Sequence, residues 1–145
     1  YCAENNVEIC YVTNLDQGKR TYEYALDQLK SLNFPYADKN HLTVYRDTSD
    51  KMPTKLSVLK KYNLVLMLGD NLNDYKRDYY VKDVNQRYNL MEKDNSDYGD
   101  KFIVLPNPTD GHWVRAIFGE SEPLPNNDNR SLLFSAATRV SWNGK

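Results

Sequence analysis

The sequence predicts an α/β fold, a parallel sheet with helical crossovers. Two observations carry it. Short apolar and β-branched segments alternate four times with segments of helical periodicity along the 145 residues. The apolar run Leu64–Leu68 breaks at Gly69 and is followed at once by Asp70 and Asp74, as in a buried strand that ends at the mouth of a sheet. The length suits one domain with a substantial core.

Val7–Thr13 is rich in β-branched and aromatic residues and reads as the first strand. Asn14-Leu-Asp-Gln-Gly18 is the turn after it. From Lys19 to Leu32, residues Tyr22, Ala25, Leu26 and Leu29 recur at helical spacing, and Asn33-Phe-Pro35 ends that helix. Leu42–Tyr45 is a short strand. Lys51–Tyr62 reads as a helix with Met52, Leu56 and Leu59 on one face and Ser49 or Asp50 as cap. The strand Leu64–Leu68 follows. Tyr79–Lys93 reads as a helix with Val84, Tyr88 and Met91 inward. Glu92–Lys101 is charged and reads as a solvated loop. Phe102–Leu105 is a strand stopped by Pro106-Asn-Pro108. Gly111–Phe118 suits a short helix, Glu120–Asn129 a loop, and Ser131–Val140 a terminal helix.

Composition excludes some functions. A net charge of −1 gives no bulk footprint for a nucleic acid polymer or an anionic membrane. No run approaches a membrane span, and the polar start Tyr1-Cys-Ala-Glu-Asn-Asn6 lacks the apolar stretch of a signal peptide. Cys2 and Cys10 fit no metal spacing. Cys10 falls in an apolar strand as a core residue, and a Cys2–Cys10 bridge would suit an oxidising compartment. His41 and His112 are far apart in sequence and are not expected to bind metal.

Three places fall at predicted strand or helix ends. Thr13 and Asn14 follow the first strand. Lys51 follows Asp47-Thr-Ser-Asp50. Asp70 and Asp74 follow the third strand. In open α/β sheets the strand ends form the ligand crevice. A hydroxyl and an ammonium there can hold phosphoryl oxygens, and paired carboxylates suit Mg²⁺. Each residue also has a plainer reading: a turn aspartate, a strand-end hydroxyl, a solvated lysine. Arg20 and Lys55 read as solvated cations, Trp113 as packing, and Tyr75, Tyr79 and Tyr80 as mixed core and rim.

Five motifs occur in order: Tyr11-Val-Thr-Asn14, Asp47-Thr-Ser-Asp-Lys51, Gly69-Asp-Asn-Leu-Asn-Asp-Tyr75, Lys101-Phe-Ile-Val-Leu-Pro-Asn-Pro108 and Gly111-His-Trp113. Together with Trp142-Asn-Gly-Lys145, they make the chain resemble the class C acid phosphatases and lipoprotein 5′-nucleotidases of the haloacid dehalogenase superfamily. The resemblance implies a Rossmann-like, haloacid dehalogenase-like α/β fold and metal-assisted hydrolysis of phosphomonoesters, 5′-nucleotides among them, through an aspartyl-phosphate. It implies that Thr13, Asn14 and Lys51 serve phosphate, that Lys51 and Asp74 act in catalysis, and that Asp70 and Asp74 hold Mg²⁺. It also implies a bacterial cell envelope or secreted location, and a homodimer is compatible with it.

Three departures stand out. Leu15 replaces the arginine that usually follows the Thr-Asn pair. Asp110 stands where the family often has an aromatic for base stacking. The nucleophile motif Asp-x-Asp-x-Thr is absent. In the superfamily that motif lies on a central strand between those assigned here to Val7–Thr13 and Leu64–Leu68. Its absence would leave a gap in the sheet with unpaired backbone groups. The expectation is therefore the C-terminal part of one phosphatase domain, inactive alone, completed by an N-terminal segment or chain that carries the Asp-x-Asp motif. The alternative is a catalytically silent α/β module that binds an anion or a partner. A phospho-acceptor domain would need a separate acidic pair, and the one good acidic cluster is already used.

Overall fold

The computed structural model describes residues 1–108 and 111–140, so Asp110 and the segment from Trp142 to Lys145 lie outside the described residues. The chain divides into two units, Tyr1–Asn63 and Leu64–Lys145.

The first unit holds strand β1 (Tyr11–Asn14), helix α1 (Thr21–Ser31), strand β2 (Leu42–Tyr45) and helix α2 (Met52–Leu59). β1 and β2 are parallel, with Tyr11 opposite Leu42 and Asn14 opposite Tyr45. α1 is the crossover between them. Its start is fastened by the buried Thr21, whose hydroxyl donates to the Gly18 carbonyl and accepts from the Gln17 N–H, both at 2.7 Å. Ala25 is buried one turn on, as the spacing predicts. Asn33 takes a left-handed conformation (φ 56°) and the Phe34 N–H closes on the Leu29 carbonyl, which ends the helix. The segment then docks on β1: Tyr11 meets Phe34 edge to face and donates its hydroxyl to the Pro35 carbonyl at 2.6 Å.

The first strand begins at Tyr11 rather than Val7. The Tyr11 N–H bonds the His41 carbonyl, and the partner chain turns away before Leu42, so Val7–Cys10 have no ladder to join. Cys10 is half-buried just ahead of the strand, and Cys2 and Cys10 are both free thiols. α2 is shorter than Lys51–Tyr62. Asp50 does bond its first turn, accepting the Met52 N–H at 3.0 Å. Leu56 and Leu59 are exposed, not inward. The half-buried face carries Met52, Thr54, Lys55 and Val58, with the Thr54 hydroxyl 2.8 Å from that of Tyr45.

The second unit holds β3 (Met67–Gly69), α3 (Val84–Lys93), β4 (Phe102–Val104), α4 (His112–Phe118) and α5 (Asn127–Ala137). β3 and β4 are parallel, Met67 facing Phe102 and Gly69 facing Val104. Parallel pairing with helical crossovers is thus present as expected. The described strands form two two-stranded ladders, β1 with β2 and β3 with β4. The run Leu64–Leu68 is not a buried strand. Only Met67 and Leu68 pair, and Leu64, Val65, Leu66 and Leu68 are exposed, Leu68 at 63%.

The core of this unit is Leu72, Tyr75, Tyr79 and Phe102. Tyr75 stacks on Phe102 with ring centres 4.6 Å apart. The segment Glu92–Lys101 is part of this packing, not a solvated loop. Asp94 is buried, accepting from Lys76 Nζ at 2.6 Å and from the Tyr79 hydroxyl at 2.8 Å, and Tyr98 donates to the Tyr79 oxygen at 2.9 Å. Burial raises the Asp94 pKa, yet the bonds from Lys76 and Tyr79 prevail and hold it below the usual carboxylate value. α3 begins at Val84, not Tyr79, because Asp83 caps it by accepting the Gln86 N–H at 2.7 Å. Tyr88 points outward, and the buried position beside it belongs to Arg87. α5 begins at Asn127, four residues ahead of Ser131, capped by Asn126. Among the described residues no helix is long and apolar enough to cross a membrane.

In the first unit the His41 ring lies between two carboxylates, Nδ1 2.9 Å from Asp38 and Nε2 3.1 Å from Glu8. The Asp38 bond, helped by Glu8, raises the His41 pKa; His41 lowers Asp38 in turn, and Glu8 is lowered first by its bond from Tyr62 and then by His41. A raised histidine contributes stability that is fully present below its unfolded value, about 6.5, and is lost as pH rises through the folded value. The lowered carboxylates contribute above about pH 4.3 and lose it on further acidification. The cluster therefore stabilises most between about pH 4.5 and 6.5. Thermal melts from pH 5 to 9 should show the wild-type midpoint falling relative to His41→Gln. A pH-independent difference between the two proteins would remove the histidine from this role.

Candidate active site

Asp70 and Asp74 are delivered by the loop that leaves β3. Asn71 starts a tight 3₁₀ turn over Leu72–Asp74, its side-chain oxygen accepting the Asn73 N–H. The turn drives Leu72 into the core and brings Asp74 back onto the end of the strand. Gly69 makes the room for this. A Cβ there would stand 2.8 Å from both Cβ and Oδ2 of Asp74, closer than real side chains approach. Asp70 is exposed and accepts the Asn107 side-chain N–H at 2.7 Å, which ties the β3 loop to the Pro106-Asn-Pro108 segment that follows β4.

Tyr75 closes the turn. Its hydroxyl donates to the carbonyls of Gly69, at 3.1 Å, and Ile103, joining the end of β3 to the middle of β4. Burial pushes its pKa up to about 12, with Asp74 and Asp70 adding to the shift. Both carboxylates are thus within electrostatic reach of one buried side chain.

Beneath the loop lies Arg87, a residue that gave no functional reading in the sequence. It is buried. Nη1 donates to the Tyr79 carbonyl at 2.6 Å and the Asn73 side-chain oxygen at 3.3 Å, and Nη2 to the Asn71 side-chain oxygen at 3.3 Å. Burial lowers its pKa. The guanidinium thus fixes two side chains of Gly69-Asp-Asn-Leu-Asn-Asp74 from below. A signal was present: Arg87 is three residues after Val84 and four before Met91, a charge in the apolar stripe of its helix. Gly111 completes the support. Its φ of +135° is a glycine conformation, and a Cβ there would lie 2.6 Å from the Asn71 amide nitrogen. Trp113 packs as expected and donates to the Asn107 carbonyl at 3.1 Å.

The phosphate candidates belong to the first unit. Thr13 is half-buried on β1, opposite Val44. The Asn14 amide donates to the Thr48 carbonyl. The Thr48 hydroxyl accepts the Asp50 N–H at 3.1 Å, and Asp50 holds the first turn of α2. Asn14 at the end of β1 is in this way linked to the loop that presents Lys51. Arg46 reinforces that loop with two bonds to Asp16, at 3.0 and 2.9 Å. Arg20 lies over the Tyr24 ring. The structure thus groups Thr13, Asn14 and Lys51 in one unit, and Asp70 and Asp74 in the other.

No cluster of three or more histidine, cysteine, aspartate or glutamate side chains suited to a metal occurs among the described residues. The carboxylates of Asp70 and Asp74, presented by one loop, nevertheless fit Mg²⁺, which keeps several waters and takes one or two carboxylates plus substrate phosphate.

A family model described as HAD superfamily, subfamily IIIB (Acid phosphatase) matches residues 1–113. The chain is also similar to the class C acid phosphatase from Bacillus anthracis, with a TM-score of 0.77 and 24% identity over 99% of this chain. A second structure of that protein, with tungstate bound, matches at TM-score 0.81 and 23% identity over the same share. The chain spans 58% and 59% of the length of those two chains.

Two substitutions test this support. Arg87→Met should cost about 2–4 kcal/mol in urea unfolding, because three acceptors lose a buried donor. Gly69→Ala should cost about 1–3 kcal/mol, because Asp74 must move off the strand end. Either variant unfolding at the wild-type midpoint would contradict the geometry.

Proposed function

The chain belongs to the acid phosphatases of HAD subfamily IIIB, and from that premise we propose that it carries the metal- and phosphate-binding part of a Mg²⁺-dependent phosphomonoesterase. The observation that carries the proposal is the β3 loop. Gly69 gives Asp74 its place, Asn107 holds Asp70, and Arg87 fixes the intervening asparagines. So much rigid support for two carboxylates at a strand end suits a site that must hold its donors in place before substrate arrives.

In this reading Asp70 and Asp74 hold Mg²⁺. When bound, the ion supplies charge neutralisation for the phosphoryl oxygens. Thr13 donates its hydroxyl to a phosphoryl oxygen, and Lys51 adds a point charge. Asn14 serves the same group while its amide keeps the Lys51 loop in place. Tungstate is a tetrahedral oxyanion like phosphate, and its binding by a matched acid phosphatase supports an oxyanion site in this chain too.

The attacking carboxylate is proposed to come from an N-terminal segment with an Asp-x-Asp motif, since this sequence has none. The exposed apolar residues Leu64, Val65, Leu66 and Leu68 support a further strand beside β3. Small phosphomonoesters, 5′-nucleotides among them, are the proposed substrates, and the cell envelope the proposed location. Residue Asp110 lies outside the described residues, and no base-stacking role is assigned to it.

In the complete protein, Asp70→Ala should lower phosphate release from p-nitrophenyl phosphate at least about a hundredfold. Added Mg²⁺ should restore wild-type protein after chelation but not the variant. Full activity in Asp70→Ala would overturn the assignment.

A further inference from the structure

We propose that Arg77, Arg115 and His112, gathered around Tyr80, form an oxyanion site for a phosphate group, built from residues other than Thr13 and Lys51. The cluster lies wholly within the second unit. Arg77 Cζ stands 3.8 Å from the centre of the Tyr80 ring, and Arg115 Cζ stands 4.5 Å from it. His112 meets the same ring edge to face at 4.8 Å. The two guanidinium groups therefore lie within roughly 10 Å of each other, about one Debye length at 0.1 M salt.

Like charges at that distance repel unless something negative joins them. Neither arginine forms an ion pair with a described carboxylate. Both also have a polar atom shielded from solvent and without a hydrogen-bond acceptor among the described residues, Nη1 of Arg77 and Nε of Arg115. A buried donor without an acceptor costs about 1–3 kcal/mol, more for a charged group. Two in one cluster is the pattern of a site that an external acceptor completes. Arginine is suited to that acceptor, because its planar fork matches phosphate oxygens. The Tyr80 ring holds the two forks while leaving N–H groups to donate.

The surroundings agree. Burial lowers the His112 pKa, and the charges of Arg77, Arg87 and Arg115 lower it further against an opposing effect of Asp74. The imidazole is thus a neutral group in a field of three cations. Arg87 is already committed to Asn71, Asn73 and the Tyr79 carbonyl, so the donors left for a ligand are those of Arg77 and Arg115. Sequence gave no hint of this, because the residues are scattered from 77 to 115 and the net charge is −1.

The inference does not depend on the phosphatase reading, and its test is done without metal or turnover. In the complete protein with EDTA, calorimetry with inorganic phosphate should show saturable binding. Arg77→Gln and Arg115→Gln should each weaken it at least tenfold. Arg130→Gln, an equal charge change at an exposed position of α5, should leave it within twofold. Phosphate should also shift the His112 ring proton signal, identified by its loss in His112→Gln, so the result does not rest on the arginine variants folding. No saturable binding, or binding that Lys51→Gln abolishes while both arginine variants retain it, would overturn the site and leave the phosphatase reading in place.

Discussion

The Tyr75 side chain is the constraint on which the second unit depends. Its ring is fully buried on Phe102, and its hydroxyl bonds the carbonyls of Gly69 in β3 and Ile103 in β4. A two-stranded ladder of three residues each has little cohesion of its own. The tyrosine supplies both an apolar anchor and a polar tie between the two strands. It also sits directly after Asp74, so the residue that closes the ladder fixes the loop that carries the carboxylates. Stability and site geometry are here one packing problem.

Around that anchor the loop is held mainly by polar contacts. Asn71 and Asn73 are short side chains that tolerate a tight turn and give oxygens to Arg87. Gly69 and Gly111 leave the space that Asp74 and Asn71 fill. Asn107 reaches from the far strand to Asp70. Each carboxylate therefore has its own support. In the first unit the same economy links Asn14 to the loop of Lys51 through Thr48 and Asp50.

The apolar residues beside β3 follow another logic. Leu64, Val65, Leu66 and Leu68 are exposed, although their pattern is that of a strand covered on both faces. Unpaired strand edges with apolar flanks are open to pairing with further chain.

The sequence by itself determined the alternation of strands and helices, the parallel pairing and the loop that presents Asp70 and Asp74. These follow from local periodicity and turn chemistry. Leu42–Tyr45 and the short helix ending at Phe118 are where the pattern placed them, because the signals that bound them lie within a few residues. Tertiary structure alone decided the rest. Val7–Cys10 is not a strand because β2 turns away, and Leu64–Leu66 is exposed because no described strand covers it. Arg87 is buried because oxygens of Asn71, Asn73 and Tyr79 accept its N–H groups, and Asp94 because Lys76 and Tyr79 donate to it. Pattern fixes what a segment prefers. Burial, pairing and the environment of a charge depend on which remote groups arrive beside it, and no local spacing records that.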